Sequence, residues 1–166
     1  MPQESVGVIG LGSMGWGVAT SLLRSGFPVT GYDVRTDQLE RFREQGGQKA
    51  ASPAETGARS NVLIILVLNA EQTEQALFGE NGAAPALAPG SVVISSSTVA
   101  PGFAADLGRR LHEAGLLHID APISGGAVKA AQGQLSIMAS GSPAAFEKCD
   151  RVFAAIASKV YRIGED

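Results

Sequence analysis

Apolar residues fall in short blocks along this chain, and each block is followed by a stretch with a wider, helical period. The blocks predict strands over 5–9, 29–32, 62–68, 91–95, 117–120, 135–139 and 160–163, with a weak further strand near 48–50. The blocks at 62–68 and 91–95 are apolar at nearly every position, the pattern of strands buried on both faces in a parallel sheet. Between the blocks, Met14, Val18 and Leu22 recur every four residues and predict a helix stopped by Gly26. Leu39 and Phe42 mark a second helix closed by Gly46-Gly47. Ser52-Pro53-Ala54-Glu55 is a capping box with Pro at the first helical position. Phe103, Leu107 and Leu111 form a stripe ended by Gly115, and Ser142-Pro143 opens a last helix with Phe146, Cys149, Phe153 and Ile156 on one face. Strand and helix alternating at this spacing predict right-handed βαβ units and an α/β, doubly wound, mostly parallel sheet of Rossmann type. No linker, low-complexity segment or internal repeat interrupts the alternation, so residues 1–166 are expected to form one domain.

Composition narrows the classes of function. Apolar residues make up 45% of the 166 positions and charged ones 17%, which is globular and not disordered. The formal net charge of −3 comes with no clustered basic face, so no nucleic-acid partner is expected. The longest apolar run, 62–68, is far short of the roughly 20 residues a membrane span needs. No basic region precedes an apolar stretch at the N-terminus, and a single cysteine cannot form an internal disulfide, which together point to the cytoplasm. The 21 glycines suggest tight turns or backbone contact with a ligand.

Three of those glycines, within one run of six residues, carry the strongest signal. Gly10-Leu11-Gly12-Ser13-Met14-Gly15 follows an apolar strand and opens an amphipathic helix, which is the setting a dinucleotide-binding GxGxxG requires. Gly10 permits the tight turn, Gly12 lets a pyrophosphate approach the backbone, and Gly15 lets helix and strand pack closely. The helix N-terminus adds unpaired N–H groups and partial positive charge. Asp33 lies 18 residues past Gly15, near the spacing of the acid that receives the adenosine ribose hydroxyls. A carboxylate there opposes a 2′-phosphate. At about 4 Å and an effective dielectric of about 20, two unit charges interact by about 4 kcal/mol. NAD is therefore expected over NADP, although Arg35, just past the same strand, is a residue able to receive a 2′-phosphate. Asp33 could also serve simply as an N-terminal acid for the following helix.

Three segments together resemble the β-hydroxyacid dehydrogenase family, the group of 3-hydroxyisobutyrate and 6-phosphogluconate dehydrogenases. They are Val8-Ile9-Gly10-Leu11-Gly12-Ser13-Met14-Gly15, Ser97-Thr98-Val99-Ala100-Pro101 and Asp120-Ala121-Pro122-Ile123-Ser124-Gly125-Gly126. Residues 127–133, followed by Leu135-Ser136-Ile137-Met138-Ala139-Ser140-Gly141, look most like the branch acting on four-carbon sugar acids such as threonate. The resemblance implies that 10–15 hold the pyrophosphate, that Asp33 holds the ribose, that Val67 and Leu68 at the end of their strand touch the cofactor, and that Thr98 sits beside the nicotinamide ribose. It implies that Ser124, Gly125 and Gly126 grip a substrate carboxylate. Adjacent glycines and a serine hydroxyl can converge on an anion, but the residues alone equally allow a turn joining a strand to a short helix.

The implied reaction is hydride transfer between a small β-hydroxy acid, 3-hydroxyisobutyrate- or threonate-like, and the nicotinamide, with a lysine as general base. The resemblance places that lysine and an all-helical second domain beyond residue 166. Lys129, Lys148 and Lys159 do not match its position, so this stretch alone is expected to be inactive, with no catalytic residue of its own. A homo-oligomer is an open expectation for the full-length enzyme. Two rivals remain: a stand-alone dinucleotide-binding module, and an imine or semialdehyde reductase on the same fold. No metal site is expected. His118 has no second ligand at metal spacing, His112 falls near a helix C-terminus, and Cys149 belongs to a core face. Trp16, on the first turn of its helix, is expected to pack against the second domain.

Overall fold

The computed structural model describes residues 4–164. Its elements run in the order β1 (Val6–Ile9), α1 (Ser13–Arg24), β2 (Val29–Tyr32), α2 (Thr36–Glu44), β3 (Gln48–Lys49), α3 (Pro53–Ala58), β4 (Val62–Ile65), α4 (Ala70–Phe78) and, after a 3-10 turn at Ala84–Ala86, β5 (Val92–Ser95). Then follow α5 (Pro101–Glu113), β6 (Leu117–Asp120), β7 (Ile123–Ser124), α6 (Gly126–Gln132), β8 (Leu135–Gly141), α7 (Pro143–Ile156) and β9 (Ala157–Gly164). All strands lie in one nine-stranded sheet. Its first six, ordered β3-β2-β1-β4-β5-β6, are parallel throughout. The order reverses beside β1, and a doubly wound sheet opens its ligand crevice at such a point, at the C-terminal ends of the strands.

The central strands β1, β4 and β5 are buried on both sides, as their apolar sequences demand. Along β4, Val62 and Ile64 enter one core with Val8, Leu22, Phe42 and Ile94, while Leu63 and Ile65 enter the other with Leu77, Val93, Leu107 and Leu111. That alternation is the two-residue period of a strand between two helical layers. The predicted stripes supply the helix faces: Val18 and Leu22 on α1, Leu107 and Leu111 on α5, and Phe146, Cys149, Phe153 and Ile156 on α7 are all buried. The Ser52 hydroxyl caps α3 through the Glu55 N–H at 3.1 Å, and the Glu55 carboxylate reaches back to the Ala51 N–H at 2.8 Å.

Two features differ from the sequence expectation. The strand expected over 62–68 ends at Ile65, and Leu66, Val67 and Leu68 form the loop at the crevice. Beyond β6 the sheet is no longer a run of βαβ units. β6 and β7 lie antiparallel to β8 in one continuous register, Ile119 opposite Gly141 and Ile123 opposite Ile137, and β9 pairs with the other edge of β8 in parallel. Trp16 is partly buried inside these residues, edge-on to Phe42 at 6.2 Å between ring centroids and beneath the Arg41 guanidinium at 5.0 Å. Among the described residues no helix is long and apolar enough to cross a membrane.

Candidate functional site

The loop between β1 and α1 is built by its glycines in three different ways. Gly10 has φ +100°, and a Cβ there would stand 2.4 Å from the Leu66 carbonyl oxygen. A Cβ on Gly15 would stand 1.7 Å from the Gly10 carbonyl oxygen, so the helix can sit this close to the strand only without one. Gly12 is unlike both: its φ is an ordinary −70°, and a Cβ there would meet only Arg35 Nη2 at 3.9 Å. Protein packing therefore demands glycine at 10 and 15 and leaves open space over 12. Gly12 is also the N-cap of α1, with no side chain capping the helix and no acid in its first turn. The first-turn N–H groups and the positive end of the helix dipole face that open space. The residues present thus fit a dinucleotide pyrophosphate.

Asp33, at the end of β2, is buried and ties this loop down. Its Oδ2 accepts the Leu11 N–H at 2.8 Å, and Oδ1 accepts the Arg35 N–H at 2.9 Å and Arg35 Nε at 3.0 Å. Gln38, from α2, donates to the carbonyl of the same residue, Leu11. Burial pushes the Asp33 carboxyl up, but the Arg35 side chain and the two backbone N–H groups outweigh it and hold the group below its ordinary value. Asp33 does not cap α2, whose N-cap is Arg35.

A carboxylate lowered in this way stabilises the fold fully above the unfolded value of about 3.9 and loses that contribution as pH falls through the lower folded value. Asp33→Asn is accordingly expected to cost roughly 1–3 kcal/mol at pH 7. The deficit should shrink below pH 3, as read from urea denaturation at both pH values. An equal deficit at both would mean that the charge contributes nothing.

The remaining strand ends converge on the same crevice. Leu66 packs on Gly10, and the Val67 carbonyl accepts the Ser97 hydroxyl at 2.8 Å, joining the loops after β4 and β5. Ser97 is buried, and Thr98 beside it is exposed. Leu68 is 83% exposed, as is Val34 next to Asp33. Ser124 ends β7 and is exposed. Gly125 and Gly126 follow it with φ +133° and +72° and open the seven-residue α6. That helix lies against α1, where a Cβ on Gly17 would meet Ala130 Cβ at 2.6 Å and the Ser21 hydroxyl donates to the Ala130 carbonyl at 2.8 Å. The contact sets the first turn of α6 beside the glycine loop. A cleft of about 520 Å³ is lined by Gly12, Ser13, Trp16, Gly17, Arg35, Gln38, Arg41, Ala127, Val128 and Ala131.

Sequence reasoning named the loop, Asp33, Val67, Leu68, Thr98 and the Ser124 turn. It did not anticipate Gln38, Ser97, Gly17 or Ser21. Gly17 could have been suspected, since a glycine inside a helix is costly unless something packs against it. Elsewhere, Cys149 is buried, its thiol pushed up to about 12 chiefly by burial. His112 is exposed in the last turn of α5. Lys129 packs its stem on Gly125 and points its ammonium toward Gln134 Oε1 at 3.5 Å.

A mostly parallel sheet with a switch point at β1, an uncapped helix behind an open Gly12, and a buried acid after β2 define a Rossmann-type dinucleotide-binding domain. Residues 5–164 match the family described as the NAD binding domain of 6-phosphogluconate dehydrogenase, and the chain belongs to that family. It is 58% identical over 162 residues to L-threonate dehydrogenase of Cupriavidus necator, covering 98% of this chain and 54% of that protein. It is 33% identical to mitochondrial 3-hydroxyisobutyrate dehydrogenase of Mus musculus, over 98% of this chain and 48% of that one. The crystal structure of 3-hydroxyisobutyrate dehydrogenase from Salmonella typhimurium superposes with a TM-score of 0.94 at 44% identity, over 98% of this chain and 57% of that one. The chain thus spans about half the length of the curated relatives it matches.

Proposed function

We propose that residues 1–166 are the cofactor domain of an NAD-dependent dehydrogenase acting on a small β-hydroxy acid of the threonate or 3-hydroxyisobutyrate kind. The observation that carries this reading is the 58% identity to an L-threonate dehydrogenase across 98% of the chain. The bound nicotinamide supplies the hydride acceptor. Of this chain's own residues, Gly10, Leu11, Gly12, Ser13, Met14 and Gly15 hold the pyrophosphate and Asp33 faces the ribose. Val67, Leu68 and Thr98 line the cofactor's path. Ser124, Gly125 and Gly126 receive the substrate carboxylate. NAD is favoured because a buried carboxylate kept ionised opposes a second phosphate. The proton acceptor is a lysine outside these residues, in keeping with the chain's matching about half of its relatives.

The 166 residues alone are therefore expected to bind dinucleotide without turnover. A missing general base costs about 10²–10⁴-fold. A substrate enclosed on one side also forgoes positioning that contributes about 7–11 kcal/mol. The test combines calorimetric titration with NAD and NADP and a steady-state assay with threonate and 3-hydroxyisobutyrate at saturating NAD. NAD should bind more tightly than NADP, with no NADH formed. NADH production would mean that a residue within the chain, Lys129 first among them, takes the proton. Tighter binding of NADP would reverse the cofactor assignment.

A further inference from the structure

Asp33 has no acceptor position to spare. A carboxylate offers about four lone-pair sites, and the protein fills them: the Leu11 N–H at 2.8 Å and Arg35 Nη2 at 3.2 Å on Oδ2, the Arg35 N–H at 2.9 Å and Nε at 3.0 Å on Oδ1. Two of these donors are main chain and fixed by the loop. The other two belong to one guanidinium. That side chain is 55% exposed, against 7% for the Asp33 carboxylate it covers. A ribose that is to donate its 2′ and 3′ hydroxyls to Asp33 needs the two positions the guanidinium holds. A 2′-phosphate at the same place needs the guanidinium itself.

We propose that Arg35 is a removable cover over Asp33, and through that exchange the residue that sets how strongly this chain distinguishes NAD from NADP. The inference rests on the dinucleotide reading given above. With NAD, the guanidinium swings toward solvent and the ribose diol takes its two sites, while the Leu11 and Arg35 N–H groups keep the carboxylate in place. With NADP, the same guanidinium leaves Asp33 for the 2′-phosphate and offsets the repulsion between the two anions. Arg41, on the same cleft, is already committed to the Trp16 face and, at 3.1 Å, to Gln38 Oε1. Arg35 therefore costs NAD a competing ion pair and gives NADP a partner, and the NAD preference of the wild-type chain is narrower than Asp33 alone would set.

The test is calorimetric titration of NAD and NADP into the chain and its Arg35→Ala and Arg35→Lys variants. In Arg35→Ala, NAD should tighten about two- to fivefold, the range of a half-exposed ion pair. NADP should weaken roughly tenfold or more, the loss of a bidentate charge-assisted contact to phosphate. Arg35→Lys should match Arg35→Ala toward NAD, because an ammonium does not span both carboxylate oxygens as a planar fork does, and should recover part of the NADP loss. A shift of both cofactors in the same direction would overturn the cover. Failure of either cofactor to bind the folded wild-type chain would overturn the dinucleotide reading beneath it. A ligand-free readout separates the two. By carbon-detected NMR titration, the Asp33 carboxyl should move up toward its ordinary value in Arg35→Ala, and no movement would show that the guanidinium does not cover Asp33 in solution.

Discussion

Gly15→Ala is expected to destabilise the fold by about 3 kcal/mol or more and to abolish dinucleotide binding, whereas Gly12→Ala is expected to fold normally and still fail to bind. The contrast follows from what each Cβ would meet. At Gly15 the obstacle is the Gly10 carbonyl oxygen, 1.7 Å away. That atom belongs to a main chain already at φ +100° and packed on Leu66. No rotamer change relieves such a clash, so β1, its turn and α1 must separate. At Gly12 the backbone is at φ −70°, which alanine adopts freely, and the nearest atom outside the turn is 3.9 Å away at the tip of a flexible Arg35 side chain. Losing the N-cap glycine should cost no more than about 1 kcal/mol. The methyl group would instead occupy the space over the helix N-terminus, where a pyrophosphate must come within hydrogen-bond reach of main-chain N–H groups. Urea denaturation and NAD titration on both variants distinguish the two roles. Wild-type NAD affinity in Gly12→Ala would mean that no ligand approaches this backbone.

These same positions explain why the site was legible in the sequence. Glycines required by backbone approach leave no alternative residue, and Asp33 is set by the length of one βαβ unit, so their spacing carries the geometry directly. The central strands were legible for a similar reason, since burial on both faces removes polar residues from the pattern. Where that link between pattern and burial weakens, reading fails. α4 buries Thr73, Ala76 and Leu77, two of them too small to register as an apolar stripe, and only its Asn69 cap, which accepts the Gln72 N–H at 2.8 Å, marks where it begins. The apolar run 66–68 continues past β4 because loops at the crevice also carry exposed aliphatic side chains, Leu68 most of all. The antiparallel direction of β8 leaves no trace in its own alternation. The Asp33–Arg35 pair was foreseen as two opposing tendencies in cofactor choice. That they are bonded to each other depends on a side-chain rotamer, which no spacing encodes.

Between pH 7 and pH 5 this domain is expected to lose stability through one residue, His118. The histidine lies in β6 with Nε2 2.7 Å from the Ser95 hydroxyl, and Gly108 of α5 comes so close that a Cβ there would stand 2.9 Å from Nδ1. Burial pulls its pKa down to about 4 from the ordinary 6.5. The unfolded chain therefore takes up a proton as pH falls through about 6.5, and the folded chain does not follow until about pH 4. Over that interval the unfolded state binds more protons, so stability falls with falling pH and levels off below the folded value. At about 1.4 kcal/mol per pH unit, the full loss between the ordinary 6.5 and about 4 is roughly 3.5 kcal/mol, a large share of a typical domain's margin. Asp120 lies on the same groove of about 480 Å³, with Arg109 and His112 of α5. Burial pushes its carboxyl above the usual range, which gives it the opposite sign. The folded state takes that proton first, so Asp120 adds stability toward acid and opposes His118 where the two titrations overlap. His118→Gln, which keeps a hydrogen-bonding group toward Ser95 and cannot ionise, should remove the His118 contribution between pH 7 and pH 5 while leaving that of Asp120 in place. Urea midpoints of both proteins at half-unit steps measure the difference, and an NMR titration of the His118 ring reads its pKa directly. Parallel curves for the two proteins, or a ring that titrates near 6.5, would show that the groove admits water and that His118 is not held neutral by burial.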